Sequence, residues 1–150
     1  MFARKKVILF IVFSFALSSC LGPENNPEAV LRDFIQKQFD GKLTRKDVLK
    51  RTTGELFKEY SKMTDETFKN LFLKKRLVKK KVKINFKKCS DLRCSITFSI
   101  AYDAYENKEI KNMVETKKIA SLLKDNKDVW KIEKIVNLKT YFENSPIKVR

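Results

Sequence analysis

Hydrophobic residues between positions 27 and 75 recur every three or four residues, the spacing of amphipathic helices. Asn26 before a proline predicts the start of a first helix over about 27–40, because asparagine caps a helix and proline suits its first turn. Gly41 can end this helix in the left-handed conformation. Two further helical stretches are predicted. Thr44 and Thr64 mark their starts, and Gly54 interrupts the first of them.

From Leu77 onward hydrophobic residues alternate with polar ones, the period of strands that bury one face. Four segments of this kind are predicted, joined by short turns, at about 77–88, 95–102, 111–123 and 129–138. The alternation breaks around Lys134, where a bulge would restore it. Helices followed by strands predict an α+β domain, in which N-terminal helices pack on one face of a curved four-stranded antiparallel sheet.

The N-terminus carries the three regions of a secretory signal peptide. Basic residues at 4–6 precede an apolar run at 7–17, which would form a helix of about 16 Å and is too short for a hydrocarbon core of about 30 Å. The following Leu17-Ser18-Ser19-Cys20 resembles the bacterial lipobox, in which a hydrophobic residue and two small ones precede a cysteine. The resemblance implies cleavage before Cys20, a diacylglyceryl group on its thiol and an acyl chain such as palmitate on the new amino group.

This resemblance predicts a signal peptide at 1–19, a lipidated tether at 20–26 and a single domain at 27–150. Two or three acyl chains suffice to hold a protein on a membrane, since each buried methylene contributes roughly 0.8 kcal/mol. Leu21 stands where an aspartate usually marks inner-membrane retention, so the outer membrane, on the leaflet facing the periplasm, is favoured in a bacterium with two membranes. An ordinary secretory signal and an uncleaved anchor are the alternatives.

Cys89 and Cys94 remain as an even pair in a chain expected in an oxidising compartment. They bracket a short loop between two predicted strands, so we expect a structural disulfide at the base of a hairpin, contributing roughly 2 kcal/mol. A redox-active pair and half of a zinc site are the alternatives. Redox activity usually needs the closer Cys-x-x-Cys spacing, and zinc needs two further ligands.

Composition and charge exclude several kinds of chemistry. The chain has no histidine, which excludes serine–histidine triads, histidine general bases and imidazole metal sites. Its net charge is +16, and the segment from 74 to 88 holds nine basic residues and no acid. Strand parity predicts that four lysines share the face away from the core and can bind anionic groups of lipids or envelope polysaccharide: Lys79, Lys81, Lys83 and Lys87.

A solvated lysine face that prevents edge pairing is the alternative for this segment. Nucleic acid is not expected as a partner, because arginine is scarce beside lysine and no aromatic-interleaved recognition motif is present.

The order of elements, the aromatic-rich first helix and the closing segment Asp128-Val129-Trp130-Lys131-Ile132 resemble the nuclear transport factor 2-like superfamily, of cystatin-like α+β type, over about 27–143. This resemblance implies a conical domain whose sheet and long helix enclose a cavity, used by some relatives for small ligands and by others for partners. Relatives similar to ketosteroid isomerases place acid, tyrosine or histidine groups inside the cone. No matching catalytic motif is present in this chain.

We therefore expect a lipid-anchored, non-catalytic binding or assembly module of the bacterial cell envelope, with a protein partner, no cofactor and no metal. One alternative is a small-ligand carrier or enzyme that uses the cavity, for which the polar candidates are Tyr60, Tyr102, Tyr105, Asp40 and Asp103. Parity places Tyr102 on the inner face and Asp103 on the outer, and we expect the tyrosines at the edge of the core. A basic protein that binds anionic envelope polymers is the other alternative.

Overall fold

The structure is a computed structural model that describes residues 25–73, 78–106 and 109–144. Within these residues the elements follow one another as α1 (Pro27–Phe39), α2 (Arg45–Arg51), α3 (Gly54–Lys62), α4 (Asp65–Phe68), a π-helical segment (Lys69–Leu73), β1 (Val78–Cys89), β2 (Arg93–Glu106), β3 (Glu109–Lys124) and β4 (Trp130–Asn144). The strands form one antiparallel sheet in the order β1-β2-β3-β4. The predicted α+β class is confirmed.

Local capping explains where the first helices begin and end. The Asn26 Oδ1 atom accepts a hydrogen bond of 2.9 Å from the backbone N–H of Glu28, and Gly41 adopts a positive φ of 66° after α1. Thr44 and Asp47 form a capping box at the start of α2. The predicted bounds of the first helix and the predicted start at Thr44 are thus confirmed to within a residue.

The second predicted stretch is divided into α2 and α3. The helix is interrupted at Thr53, whose backbone N–H donates to the Ile132 carbonyl oxygen of β4 at 2.9 Å, and a new helix begins at Gly54, which has a φ of 56°. A Cβ on Gly54 would lie 2.9 Å from Glu133 Cγ, so the Glu133 side chain would have to shift to make room for it. Among the described residues no helix is long and apolar enough to span a bilayer.

Helices cover one face of the sheet, which we call the inner face and which carries Ile96, Phe98, Ala120 and Leu122. These residues are fully or almost fully buried against apolar residues of the helices: Leu31, Phe34, Val48 and Phe72. Burial on this scale contributes roughly 1.5–3 kcal/mol for each large side chain. The opposite, outer face carries Ser95, Thr97 and Ser99 of β2 and their neighbours across the sheet.

Bulges interrupt the register of both edge strands. The irregularity predicted near Lys134 is confirmed, and Glu133 is the extra residue between the pairs formed by Ile132 and Lys134. Further irregularities were not predicted; they lie at Leu138 of β4, at Lys80 and Asn85 of β1, and at Lys111 of β3. Each extra residue reverses the face to which the following side chains belong.

The bulge at Asn85 changes which lysines of β1 lie on the outer face of the sheet. Beyond it Phe86 is turned to the outer face, where 60% of the residue is exposed, and Lys87 is paired with the inner-face residue Ile96. The Lys87 Nζ atom lies 3.6 Å from Glu28 Oε2 of α1.

The prediction that four lysines share the outer face is therefore wrong for Lys87. A register shift also precedes Lys81, so the backbone of Lys79 pairs with that of Tyr102, an inner-face residue, and the side chain of Lys79 lies outside the described ones. Of the predicted four, Lys81 and Lys83 remain on the outer face, paired with Ala101 and Ser99.

Candidate binding cleft

A cleft of about 430 Å³ lies between the end of α1, the π-helical segment and the inner face of the sheet. The helical side contributes Gln38, Phe39, Asn70 and Leu71, and the sheet contributes Ile100, Tyr102, Thr116, Lys118, Asn137 and Thr140. We call this the binding cleft. Its volume falls in the range of about 300–1,000 Å³ that is usual for small-molecule sites.

Sheet register explains why these polar residues face the binding cleft. Ile100 pairs with Thr116 and Thr116 with Thr140, while Lys118 pairs with Asn137 in the adjacent row. The irregularity at Leu138 lets Asn137 and Thr140, three positions apart, both face inward, and the Asn137 amide donates to the Thr140 hydroxyl oxygen at 3.1 Å. Amide and hydroxyl groups thus occupy the floor of the cleft.

Aromatic rings form part of the wall of the binding cleft. Phe39 at the end of α1 packs on Tyr102 of β2, with 5.9 Å between the ring centroids. Tyr102 therefore presents an apolar ring and a polar hydroxyl, a combination that suits partly wet binding sites.

Lys118 is the charged group of the binding cleft. Its residue is partly buried, and this burial lowers the pKa of its amine below the ordinary value. Its amine forms no ion pair or hydrogen bond within the described part of the chain, and the residues that line the cleft include no acid. The cleft therefore combines a cationic group with neutral hydrogen-bonding groups and an apolar wall.

The candidates named from the sequence are not gathered at this site. Tyr102 lines the binding cleft, and the placement of Tyr102 inside and Asp103 outside is confirmed. Tyr60 is a core-edge residue whose ring packs on Phe72 at 5.1 Å between centroids, and burial raises the pKa of Tyr60 to about 12. Asp40 follows α1 as its C-cap residue, and the Tyr105 side chain lies outside the described ones.

Cys89 and Cys94 lie at disulfide-bonding distance, with their Cα atoms 4.0 Å apart. They face each other across the β1–β2 hairpin, and Cys94 pairs with Leu122 at the end of the sheet away from Tyr102. The described residues include no group of three or more cysteine or acidic side chains that could hold a metal ion. Cys20 lies outside the described residues.

Sequence reasoning missed the position of Lys118 in the cleft, although the sequence contains a signal for it. In β3 the buried positions Thr116, Ala120 and Leu122 share one parity, and Lys118 has the same parity. A lysine at a core-facing strand position is an exception to the usual pattern and marks a candidate site.

Comparison with known proteins yields no match to a family model, to a curated protein or to a solved structure.

Proposed function

We propose that this protein is a lipid-anchored, non-catalytic binding module of the bacterial cell envelope that holds a small anionic ligand in the binding cleft. The observation that carries the proposal is the segment Leu17-Ser18-Ser19-Cys20, placed directly after a short apolar run. The described fold begins its first helix at Pro27, so a short polar tether separates the predicted lipid from the folded domain.

The binding cleft supports the small-ligand form of this function. Lys118 offers a positive charge that no described acid neutralises, while Phe39 and Tyr102 offer apolar surface. A ligand with one anionic group and an apolar part would match both features, and it would compensate the cost of holding a partly buried amine without a partner.

Fatty-acid labelling tests the anchor. Cells that produce the native chain should incorporate labelled palmitate into it, whereas Cys20→Ala should abolish the labelling and leave the precursor uncut, because the lipid and the cleavage both depend on that cysteine. The double variant Cys89→Ala/Cys94→Ala is the matched control, since it removes two cysteines of the described domain and should retain full labelling.

Normal labelling of the Cys20→Ala variant, or native protein recovered without lipid and with its first nineteen residues, would overturn the proposal.

A further inference from the structure

The outer face of the sheet carries an ordered arrangement of charged and apolar rows. One row across the four strands consists of Lys83, Ser99, Lys117 and Lys139. The adjacent row consists of Phe86, Thr97, Ile119 and Val136. A third row, on the other side of the lysine row, consists of Lys81, Ala101, Glu115 and Tyr141.

The lysines of the first row and two apolar residues of the second row are accessible, whereas Ser99 is buried and Thr97 and Ile119 are partly exposed. Phe86 is 60% exposed and Val136 is 41% exposed, and Lys83, Lys117 and Lys139 are all exposed. The β2 members of these rows, Ser99 and Thr97, are small, and the Asn85 amide of β1 donates to the Ser99 hydroxyl oxygen at 2.8 Å.

The lysine row is electrostatically unfavourable by itself. Lys117 and Lys139 are direct cross-strand partners, and like charges at such positions repel each other. Lys81, Lys83 and Lys117 form no ion pair among the described residues, and the amine of Lys139 lies over the Tyr141 ring at 4.7 Å. Glu115 is the acid of these three rows, and it lies in the row of Lys81.

We propose that the outer face docks on a bilayer that contains anionic phospholipids, with Phe86, Ile119 and Val136 in the headgroup region and the flanking lysines on phosphate groups. This inference rests on the proposed lipid anchor. An apolar strip beside a basic strip is the arrangement by which amphipathic surfaces lie in the membrane interface. Negative headgroups would also remove the repulsion between Lys117 and Lys139.

The position of the tether brings this face within reach of the membrane. The chain from Cys20 to Asn26 can extend by at most about 22 Å. Where it ends, α1 lies beside β1, since the Arg32 Nη1 atom donates to the Val82 carbonyl oxygen at 3.0 Å. β1 is an edge strand and contributes Lys83 and Phe86, so the described start of α1 and the proposed docking face lie at the same edge of the sheet.

Docking through the outer face keeps the binding cleft accessible. The cleft lies on the inner face, which would be turned away from the bilayer, so its ligand could enter from the aqueous side. One molecule could therefore be held flat on the membrane and bind its ligand at the same time.

Depth-dependent quenching tests this proposal on the full chain as purified from cells and reconstituted in vesicles with brominated acyl chains. A Phe86→Trp variant adds a tryptophan at the docking face, while the native Trp130 is buried in the core and supplies the background from the unsubstituted protein. We expect strong quenching of the introduced tryptophan in vesicles with phosphatidylglycerol and little in vesicles of phosphatidylcholine alone. High salt should reduce the quenching, because it screens exposed charges.

Charge variants identify the lysines that are responsible for docking on the membrane. In the Phe86→Trp background, Lys83→Gln, Lys117→Gln and Lys139→Gln together should lower the ratio of docked to undocked protein on the order of 100-fold. The matched control removes the same charge from exposed helical and loop positions, Lys42→Gln, Lys58→Gln and Lys62→Gln, and should dock as before.

Mass spectrometry of the same samples distinguishes a failure of the docking proposal from a failure of the proposed lipid anchor. Protein without a lipid on Cys20 contradicts the anchor, whereas lipidated protein that shows no quenching, or equal quenching in both vesicle types, contradicts docking alone. A change in emission that requires added dextran sulfate and not vesicles would assign the face to an anionic polymer and overturn the proposal.

Discussion

Lys118 places a charged amine on the face of the sheet that otherwise holds the hydrophobic core. Its stem lies on the inner face beside the core, and its partners across the sheet are Phe98 and Asn137, neither of which carries a charge. Partial burial disfavours its charged form, which lowers the pKa of the amine. Since no acid is among the described residues that line the cleft, the anionic ligand proposed above would supply the counter-charge of this amine.

Replacing Lys118 by methionine should stabilise the domain at neutral pH, because the apolar stem is kept and the partly buried charge is removed. The stability difference between Lys118→Met and the native protein should shrink as the pH rises toward 10.5, the ordinary pKa of lysine. The sign follows from the lowered pKa: the folded state loses the proton first, so the native protein gains stability with rising pH in that window.

Urea denaturation at several pH values measures this difference. Lys58→Met is the control, because Lys58 is exposed on α3, away from the cleft, and its replacement makes the same lysine-to-methionine change. A destabilised Lys118→Met variant at neutral pH would show that the amine is favourably placed in the free protein.

At the scale of single elements, the sequence predicted features that depend on neighbouring residues and missed those that depend on contacts between strands. The caps Asn26 and Thr44 act on backbone groups within three residues, so the sequence alone reveals them. The bulge at Glu133 was also visible, because it breaks the hydrophobic alternation of β4. The bulge at Asn85 leaves the alternation of β1 unbroken and involves a side-chain hydrogen bond of 2.8 Å to Ser99 of β2, so no local pattern revealed it.

The capping box of α2 provides a test at this scale. Thr44→Ala removes the hydroxyl that accepts from the Asp47 backbone N–H at 3.1 Å, and it should lower the free energy of unfolding by about 1 kcal/mol. The same hydroxyl donates to Asp47 and lowers the pKa of that carboxyl, so part of the native stability should be lost as the pH falls through the lowered pKa.

Thr53→Ala is the matched control for this prediction. Thr53 is the N-cap residue of α3, but its side chain makes no capping hydrogen bond, so its replacement should cost much less in urea denaturation. Equal losses for the two variants would mean that the capping hydrogen bond at Thr44 contributes little.

At the scale of the whole molecule, the inner face holds the core and the binding cleft, and the outer face holds the lysine row. Sequence periodicity predicted the α+β class, since it depends on which elements follow one another. The cleft could not be predicted in the same way, because α1, the π-helical segment and three strands meet there. Its polar floor further depends on the irregularity at Leu138, which brings Asn137 and Thr140 to one face.

The Cys89–Cys94 pair links the first two strands and should contribute to global stability. If it is oxidised in the mature protein, Cys89→Ala/Cys94→Ala should lower the free energy of unfolding by roughly 2 kcal/mol, the estimate for so small a loop. Urea denaturation of the native chain with and without a reductant should give the same difference. Two alkylatable thiols in the unreduced mature protein would contradict the bridge.

Strand order has a consequence for how the chain folds as it emerges from the machinery that makes or exports it. Every strand pairs with its neighbour in sequence, so the sheet can grow one hairpin at a time. The helices emerge first, yet Leu31 and Phe34 are buried in one core with Leu122 and Ile132, about 90 to 100 residues later in the chain. Until β2, β3 and β4 have all emerged, the apolar faces of these helices lack part of the sheet surface against which they are buried in the folded domain.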